Sequence, residues 1–320
     1  MTRLRSFLPE ILITLALVAA VGYFGYLAWG LMEPAEEPFV DTDFVGTTAL
    51  AHVETQLAFG PRITGTEPSV QMGDWLIQAL QALGWTVAEQ PYTVADGVSA
   101  RNIIAYKANE TEDAPIAILG AHYDTRMIAD EDPNPDLRFQ PVPGANDGAS
   151  GVAVLLELAR SLDVAETGHT VCLAFFDAED NGRIPEWDWI LGSSYFVANR
   201  SDVPACADPR FALIVDMIGD ADQQVYVERN GTPGLSAALW QQAADLGYGD
   251  TIINQPGYAM LDDHTPFLRA GIPAADMIDF DYPHWHTTDD TLDKVSAESL
   301  ERIGRTVESW MEAGAVFDLP

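Results

Sequence analysis

The sequence predicts an α/β fold, in which helices cover both faces of a mixed, mostly parallel central sheet. Apolar strands alternate with amphipathic helices along the chain, and this alternation is typical of such folds. The strand expected over residues 169–176 is nearly all apolar, as a strand buried on both faces should be. With 320 residues that are 48% hydrophobic, the chain can form one large core.

Residues 11–32 contain no charged side chain, which predicts one transmembrane helix because about 20 apolar residues span a bilayer. Two arginines precede this segment and three glutamates follow it, so residues 1–10 should form a basic cytoplasmic tail. We therefore expect a signal anchor over 11–32, an acidic linker over 33–43, and a folded domain over 44–320 on the extracytoplasmic side. Cleavage after residues 18–20 is the alternative.

The formal net charge of -33 disfavours nucleic acid as a partner, because so acidic a surface repels phosphates. Cys172 and Cys206 are the two cysteines. Cys172 lies in an apolar strand and is interpreted as a small buried hydrophobe. A disulfide is permitted outside the cytoplasm, so their pairing stays open.

The spacing of apolar residues predicts the remaining elements in order. Helices are expected over 44–59, 69–83, 152–162, 235–246 and 296–310, from residue 193 onward, and just before residue 271, with Ser69 and Ser296 as N-caps. Further strands are expected over 86–92, 102–107, 115–119, 211–215, 224–228 and 274–278. The pattern predicts no repeat and no second domain.

Polar side chains follow successive strands, at the edge of the sheet where open α/β folds build their sites. Histidine and carboxylate side chains are suitable ligands for catalytic zinc, whereas calcium or magnesium, the alternative, seldom binds histidine. Taken singly, each residue could instead be a helix cap or part of a solvated acidic loop. The residues are His122, Asp124, Asp147, Glu179, Asp180, Asp216 and His286.

Five motifs, at residues 122–124, 144–151, 176–180, 216–219 and 285–287, resemble those of the zinc-dependent M28 peptidase clan. The clan includes aminopeptidases and animal-type glutaminyl-peptide cyclotransferases, and the similarity extends from residue 60 to the C-terminal helix. The resemblance implies a three-layer, phosphorylase/hydrolase-like α/β/α sandwich, with an M28-like catalytic domain over 44–320.

The resemblance also implies a zinc site. Asp147, Asp180 and His286 match the residues that hold zinc throughout the clan. In two-zinc aminopeptidases, the equivalents of His122 and Asp216 complete a second site and Asp147 bridges the ions. The cyclotransferases generally use one ion, so one zinc or two are expected.

In both branches the residue matching Glu179 is the general acid/base, and in the cyclotransferases the residue matching Asp216 assists catalysis. The segment 262–268 carries Asp-Asp-His and Pro-Phe-Leu, as in the cyclotransferases, where the first aspartate, here Asp262, is catalytic. Trp285 matches a tryptophan that walls their substrate pocket, and Trp187 is a second candidate for substrate binding. The chain departs from that pattern at Asp180, where they have glutamate, and at Asp276, where they often have histidine.

The resulting hypothesis is an enzyme that cyclises N-terminal glutamine of peptides to pyroglutamate and releases ammonia. The first alternative is a zinc aminopeptidase acting on peptides with a free N-terminus. The second is a non-catalytic ectodomain on the same fold. The oligomeric state stays open.

Overall fold

A six-stranded sheet forms the centre of the computed structural model, which describes Tyr23 and residues 42–319. The strands of the structure are β1 (Thr86–Thr93), β2 (Ser99–Lys107), β3 (Ile116–His122), β4 (Thr170–Phe176), β5 (Pro209–Asp216), β6 (Val225–Val227), β7 (Ile252–Pro256) and β8 (Ala274–Ile278). The order in the large sheet is β1-β2-β4-β3-β5-β8, and a smaller sheet pairs β6 with β7.

The four strands β4, β3, β5 and β8 run parallel to one another. At one side of the sheet, β2 pairs antiparallel with β4, and β1 pairs antiparallel with β2. The predicted mixed, mostly parallel sheet is therefore confirmed. Because parallel strands point the same way, the carboxyl ends of all four meet at one edge. The polar residues that follow them are thereby brought together.

Helices cover both faces of the sheet. The helices are α1 (Gly46–Leu57), α2 (Glu67–Ala82), α3 (Ala149–Ser161), α4 (Val164–Thr167), α5 (Leu191–Ala198), α6 (Pro233–Asp245), α7 (His264–Arg269) and α8 (Ala297–Glu312). Alternate residues of each strand point to opposite faces, so Leu173 packs toward α1, α2, α3, α6 and α8, and Phe176 packs toward α5 and α7. The three layers that were expected result from this packing.

Two local predictions are corrected and one is confirmed. Helix α2 begins at Glu67 with a proline in its first turn, so Ser69 lies inside the helix and is not the N-cap. Strand β7 was not predicted, because it is short, largely polar and ends in proline. Ser296 does cap α8, since its Oγ accepts from the backbone N–H of Ser299 at 3.1 Å.

Cys172 on β4 and Cys206 are both buried and form a disulfide, with their Cα atoms 6.1 Å apart. The predicted burial of Cys172 is therefore confirmed, and the pairing that the sequence left open is a disulfide. The bond ties the central sheet to the segment that precedes β5.

The predicted transmembrane helix over 11–32 falls outside the described residues, apart from Tyr23. Within the described part of the chain, no helix has the length and apolar character needed to cross a membrane.

Candidate metal centre and active site

The carboxyl edge of the parallel strands brings most of the sequence-predicted site residues together. Strand β3 ends at His122 and β5 ends at Asp216, while Glu179 comes three residues after β4. The connection from β3 to α3 carries Asp147, and the loop after β8 carries His286. All five side chains are buried.

Three residues at this edge have left-handed backbones although they are not glycine. They are Ala178, Met217 and His286, with φ of 59°, 47° and 54°. Such conformations cost on the order of 1–3 kcal/mol each and persist where the surroundings enforce them. Two of them turn the chain directly beyond β4 and β5, next to Glu179 and Asp216.

Five side chains form two groups that share Asp147. In the first, His286 Nε2 lies 2.8 Å from Asp180 Oδ1 and 3.6 Å from Asp147 Oδ2. In the second, His122 Nε2 lies 3.2 Å from Asp147 Oδ1 and 3.0 Å from Asp216 Oδ1. Asp147 thus directs one oxygen to each group, as a bridging ligand would. We refer to these five residues as the metal cluster.

The chemistry of the metal cluster fits zinc. Within each group, one ligand atom per residue lies within 4.8 Å of the others, and two tetrahedral ligands each about 2.1 Å from zinc are about 3.4 Å apart. Among the described residues, the buried atoms Asp147 Oδ2 and Asp180 Oδ2 have no hydrogen-bond partner. A buried oxygen left unpaired costs about 1–3 kcal/mol, which a bound cation would offset.

The electrostatics of the metal cluster also favour a cation. Burial, reinforced by the charge of Asp147, raises the pKa of Asp180 to about 6. Burial opposes ionisation of Asp147 as well, but the hydrogen bond from His122 and the two histidine charges lower its pKa. Burial would lower the pKa of His122, yet Asp216, Asp124 and Asp147 together raise it well above its usual value. The three carboxylates of the metal cluster carry more negative charge than its two histidines can balance.

Two further buried carboxylates hold the backbone of the site: Asp124, which the sequence analysis placed at a strand end, and Asp290, which it did not single out. Asp124 accepts from the N–H groups of Glu179 at 3.0 Å and Asp180 at 3.3 Å. Asp290 accepts from the N–H of Asp147 at 3.1 Å. These contacts join segments far apart in the chain, so no local sequence pattern marks them.

A cavity of about 190 Å³ opens beside the metal cluster. Carboxylates line one part of the cavity, and the other lining residues are mainly apolar and aromatic. The lining residues are Asp147, Glu179, Asp180, Arg183, Trp189, Asp216, Met217, Met260, Leu261, Asp262, Ile278, Phe280 and Trp285.

Aromatic rings flank the ligand His286. Trp285 stacks on it with centroids 3.8 Å apart, and Trp189 is stacked at 5.9 Å. Trp187, the other predicted substrate contact, is not among the residues lining the cavity. Left-handed residues at 183, 186 and 190 make this loop irregular, so no periodic pattern could distinguish the two tryptophans at 187 and 189.

Three carboxylates that face the cavity bind protons more readily than usual. Burial raises the pKa of Glu179 well above its usual value, and Asp180 and Asp262 reinforce the shift. Burial also raises the pKa of Asp262, with Asp276 and Asp216 adding to it, and burial raises that of Asp216. Carboxylates with raised pKa values are suited to accept and return a proton during catalysis.

A second buried group lies two residues beyond Asp262. His264 Nε2 is 3.3 Å from Glu228 Oε2, and His264 Nδ1 is 3.3 Å from Asp276 Oδ2. Burial would lower the pKa of His264, but these two carboxylates raise it to about 10. Glu228 also accepts from the N–H of Met260 at 2.8 Å, which holds the cavity wall. We refer to Glu228, His264 and Asp276 as the His264 cluster.

Comparison with known proteins gives a consistent family. The sequence profile of Peptidase family M28 matches residues 102–311. The aminopeptidase YwaD of Bacillus subtilis is 30% identical over 224 residues, which cover 65% of this chain. The match spans 43% of that aminopeptidase, less than half of its length.

Two crystal structures align over nearly their whole length. Glutaminyl cyclase from Porphyromonas gingivalis has 35% identity and a TM-score of 0.77, covering 85% of this chain and 99% of its own. A Zn-dependent exopeptidase from Parabacteroides distasonis has 31% identity and a TM-score of 0.77, covering 84% of this chain and 98% of its own. The neighbours thus include both activities considered from the sequence.

Proposed function

The chain belongs to peptidase family M28, and from this we propose that it is a zinc-dependent glutaminyl-peptide cyclotransferase. It would convert the N-terminal glutamine of a peptide into pyroglutamate and release ammonia. The similarity to the Porphyromonas gingivalis glutaminyl cyclase, over 99% of that chain, supports this choice.

The observation that carries the proposal is that Asp262 faces the same cavity as Glu179 and Asp216. Cyclisation forms a bond from the α-amine nitrogen to the γ-carbonyl carbon and breaks the bond to the amide nitrogen. One proton must pass from the first nitrogen to the second, and water is not consumed. Three proton-binding carboxylates around one small cavity suit that transfer better than a single base does.

The residues of this chain would divide the work as follows. Glu179 accepts the proton of the attacking α-amine and returns it to the leaving nitrogen. Asp216 and Asp262 orient the amine and stabilise the leaving group. Trp285 packs against the glutamine side chain, and Trp189 closes the opposite wall in place of Trp187.

We assign one zinc ion to Asp147, Asp180 and His286. When bound there, zinc would act as a Lewis acid that polarises the γ-carbonyl. One observation supports a single ion: Asp216 lines the cavity together with Glu179 and Asp262, which suits a role in the proton chemistry.

The second candidate is a zinc aminopeptidase. The specific observation in its favour is that His122, Asp147 and Asp216 form a second complete ligand group. The similarity to the Bacillus subtilis aminopeptidase and to the exopeptidase structure agrees with it. In this enzyme Glu179 would deprotonate water for attack on the peptide carbonyl.

One assay separates the candidates. Purified, zinc-loaded protein is given a Gln-peptide and a Leu-peptide, and ammonia and free leucine are measured together. We expect ammonia and a pyroglutamyl product; leucine release with an unreacted Gln-peptide would instead identify the aminopeptidase. Glu179→Gln should reduce the rate about 10²- to 10⁴-fold at unchanged zinc content.

We further propose that residues 11–32 anchor the protein in a membrane, with the catalytic domain outside the cytoplasm. The uncharged 22-residue segment supports the anchor. The Cys172–Cys206 disulfide supports an oxidising compartment. Protease added to intact cells should digest the catalytic domain, and recovery of an undigested domain in the cytosolic fraction would refute this placement.

A further inference from the structure

Arg183 is the one basic residue lining the cavity, among five carboxylates. Its side chain is exposed, and it makes no hydrogen bond or ion pair with any residue that the structure describes. Arg126, which stacks over Trp189 nearby, is buried and bonded to both oxygens of Asp130 at 2.6 and 2.7 Å. Arg126 therefore has its carboxylate within the protein, and Arg183 has none.

The size of the cavity indicates what Arg183 meets. At about 190 Å³ the cavity is smaller than the roughly 300–1,000 Å³ of pockets that hold drug-sized ligands, so it suits one amino-acid residue of a bound peptide. The second residue of a bound peptide must then lie at the mouth. Leu261 at this wall is 48% exposed, and Arg183 is exposed as well.

The charge of the protein makes an unpaired arginine here informative. A net charge of -33 repels acidic peptides in general, so an acidic substrate needs a local positive group to be retained. A guanidinium matches the two oxygens of a carboxylate with a pair of parallel hydrogen bonds. Arg183 is an exposed residue of the cavity lining and supplies that group at the mouth.

We propose that Arg183 selects substrates that carry a carboxylate on the residue after the N-terminal glutamine. The carboxylate is either the side chain of Asp or Glu, or the free α-carboxylate of a Gln dipeptide. This inference rests on the proposed function, because it places the N-terminal residue in the cavity.

Pairs of peptides that differ only in charge test the preference. Gln-Glu-amide is compared with its neutral isostere Gln-Gln-amide, and the dipeptide Gln-Ala with Gln-Ala-amide. We expect kcat/KM to be two- to fivefold higher for the charged member of at least one pair, because exposed ion pairs contribute free energies of this size. The difference should appear in KM, with kcat unchanged. The pair that responds identifies the source of the carboxylate, and raising the salt concentration should reduce the difference.

The variant Arg183→Gln should equalise kcat/KM within the responding pair, and Arg183→Glu should reverse it and favour Gln-Lys-amide. Arg269→Gln is the matched control, since it removes the same charge from an exposed arginine at the end of α7, outside the cavity lining. It should leave the ratios of the wild-type protein unchanged.

Two results would overturn the inference: equal kcat/KM within both pairs for the wild-type protein, or a preference that persists in Arg183→Gln. Failure of the proposed function is a separate outcome, in which no peptide is cyclised. In that case the preference is measured as leucine release from Leu-Glu-amide and Leu-Gln-amide, and by calorimetric binding of the same peptides. Equal binding and equal release would then refute it.

Discussion

Two groups of buried histidines and carboxylates lie close together in this molecule, and their charges are balanced in different ways. In the metal cluster, His286 forms ion pairs with Asp180 and Asp147, and one oxygen of each carboxylate has no hydrogen-bond partner among the described residues. In the His264 cluster, each ring nitrogen of His264 faces one carboxylate at 3.3 Å.

The comparison shows what distinguishes a metal site from a buried ion pair when both use the same residue types. A proton on His264, whose pKa is raised to about 10, lets one imidazolium lie between Glu228 and Asp276 without further help. The metal cluster has three carboxylates for two histidines, and Glu179 is adjacent. Both groups contain buried atoms without a hydrogen-bond partner among the described residues, so the feature that distinguishes the metal cluster is Asp147, which directs one oxygen to each of two ligand groups.

Breaking the metal cluster should have the largest effect. Removal of zinc by chelation should reduce activity about 10³-fold or more, because Lewis-acid polarisation contributes several kcal/mol and 1.36 kcal/mol is a factor of ten. Zinc added back at 100 times its Kd should also raise the free energy of unfolding by about 2.7 kcal/mol. Activity and thermal unfolding are measured on the same samples.

Asp147→Asn should abolish both responses to zinc, because Asp147 contributes to both ligand groups. Asp136→Asn, at an exposed loop position, is the matched control. Full activity in protein shown by elemental analysis to be free of metal would contradict the assignment of the cluster.

The difference between the two groups also explains which parts could be predicted from the sequence. Glu179 and Asp216 could be located because each follows an apolar run, and buried parallel strands have that signature. Asp147 and His286 could be located as well, at a helix start and in a loop after a strand, and the resemblance then implied that they hold zinc. Local patterns therefore predicted the sheet and the residues that the structure gathers at its edge.

Contacts between distant segments could not be predicted in this way. Asp124 and Asp290 act on backbone N–H groups 55 and 143 residues away. Glu228 and Asp276 meet His264 from two other elements. The disulfide of Cys172 is likewise a product of packing, because one candidate partner does not establish a bond.

Breaking the His264 cluster should mainly affect stability. His264→Gln leaves two buried carboxylates without their cation, which should lower the free energy of unfolding by about 3–5 kcal/mol at pH 7. Urea unfolding measures the change. His52→Gln is the control, because His52 is a half-buried histidine on α1 whose ring is 6.3 Å from that of Trp75. A loss equal to that of the control would show that the ion pairs contribute nothing.

Raising the pH should gradually remove the difference in stability between the wild-type protein and His264→Gln. The pKa of His264 is raised from 6.5 to about 10 in the folded protein, so its contribution is complete below pH 6.5 and is lost as the pH rises through 10. The stability gap between wild-type protein and His264→Gln should narrow by at most about 1.4 kcal/mol per pH unit. Burial raises the pKa of Asp276 to about 6, so Asp276 titrates at lower pH and does not affect the stability change between pH 7 and 10.5. A gap that stays constant from pH 7 to 10.5 would contradict the protonated ring.

The smallest effect is expected where this chain departs from the cyclotransferase pattern, at Asp180. Its Oδ1 already lies 2.8 Å from His286 Nε2, and its backbone is held by Asp124 and Arg126. Asp180→Glu therefore adds a methylene between a fixed backbone and the carboxylate that contacts His286, and the rearrangement that this requires costs about 1–3 kcal/mol. Zinc affinity, measured by competition with a chelator, should fall about tenfold, whereas the exposed Asp188→Glu should leave it unchanged. Equal or tighter binding by Asp180→Glu would mean that the site can move to accommodate the longer ligand.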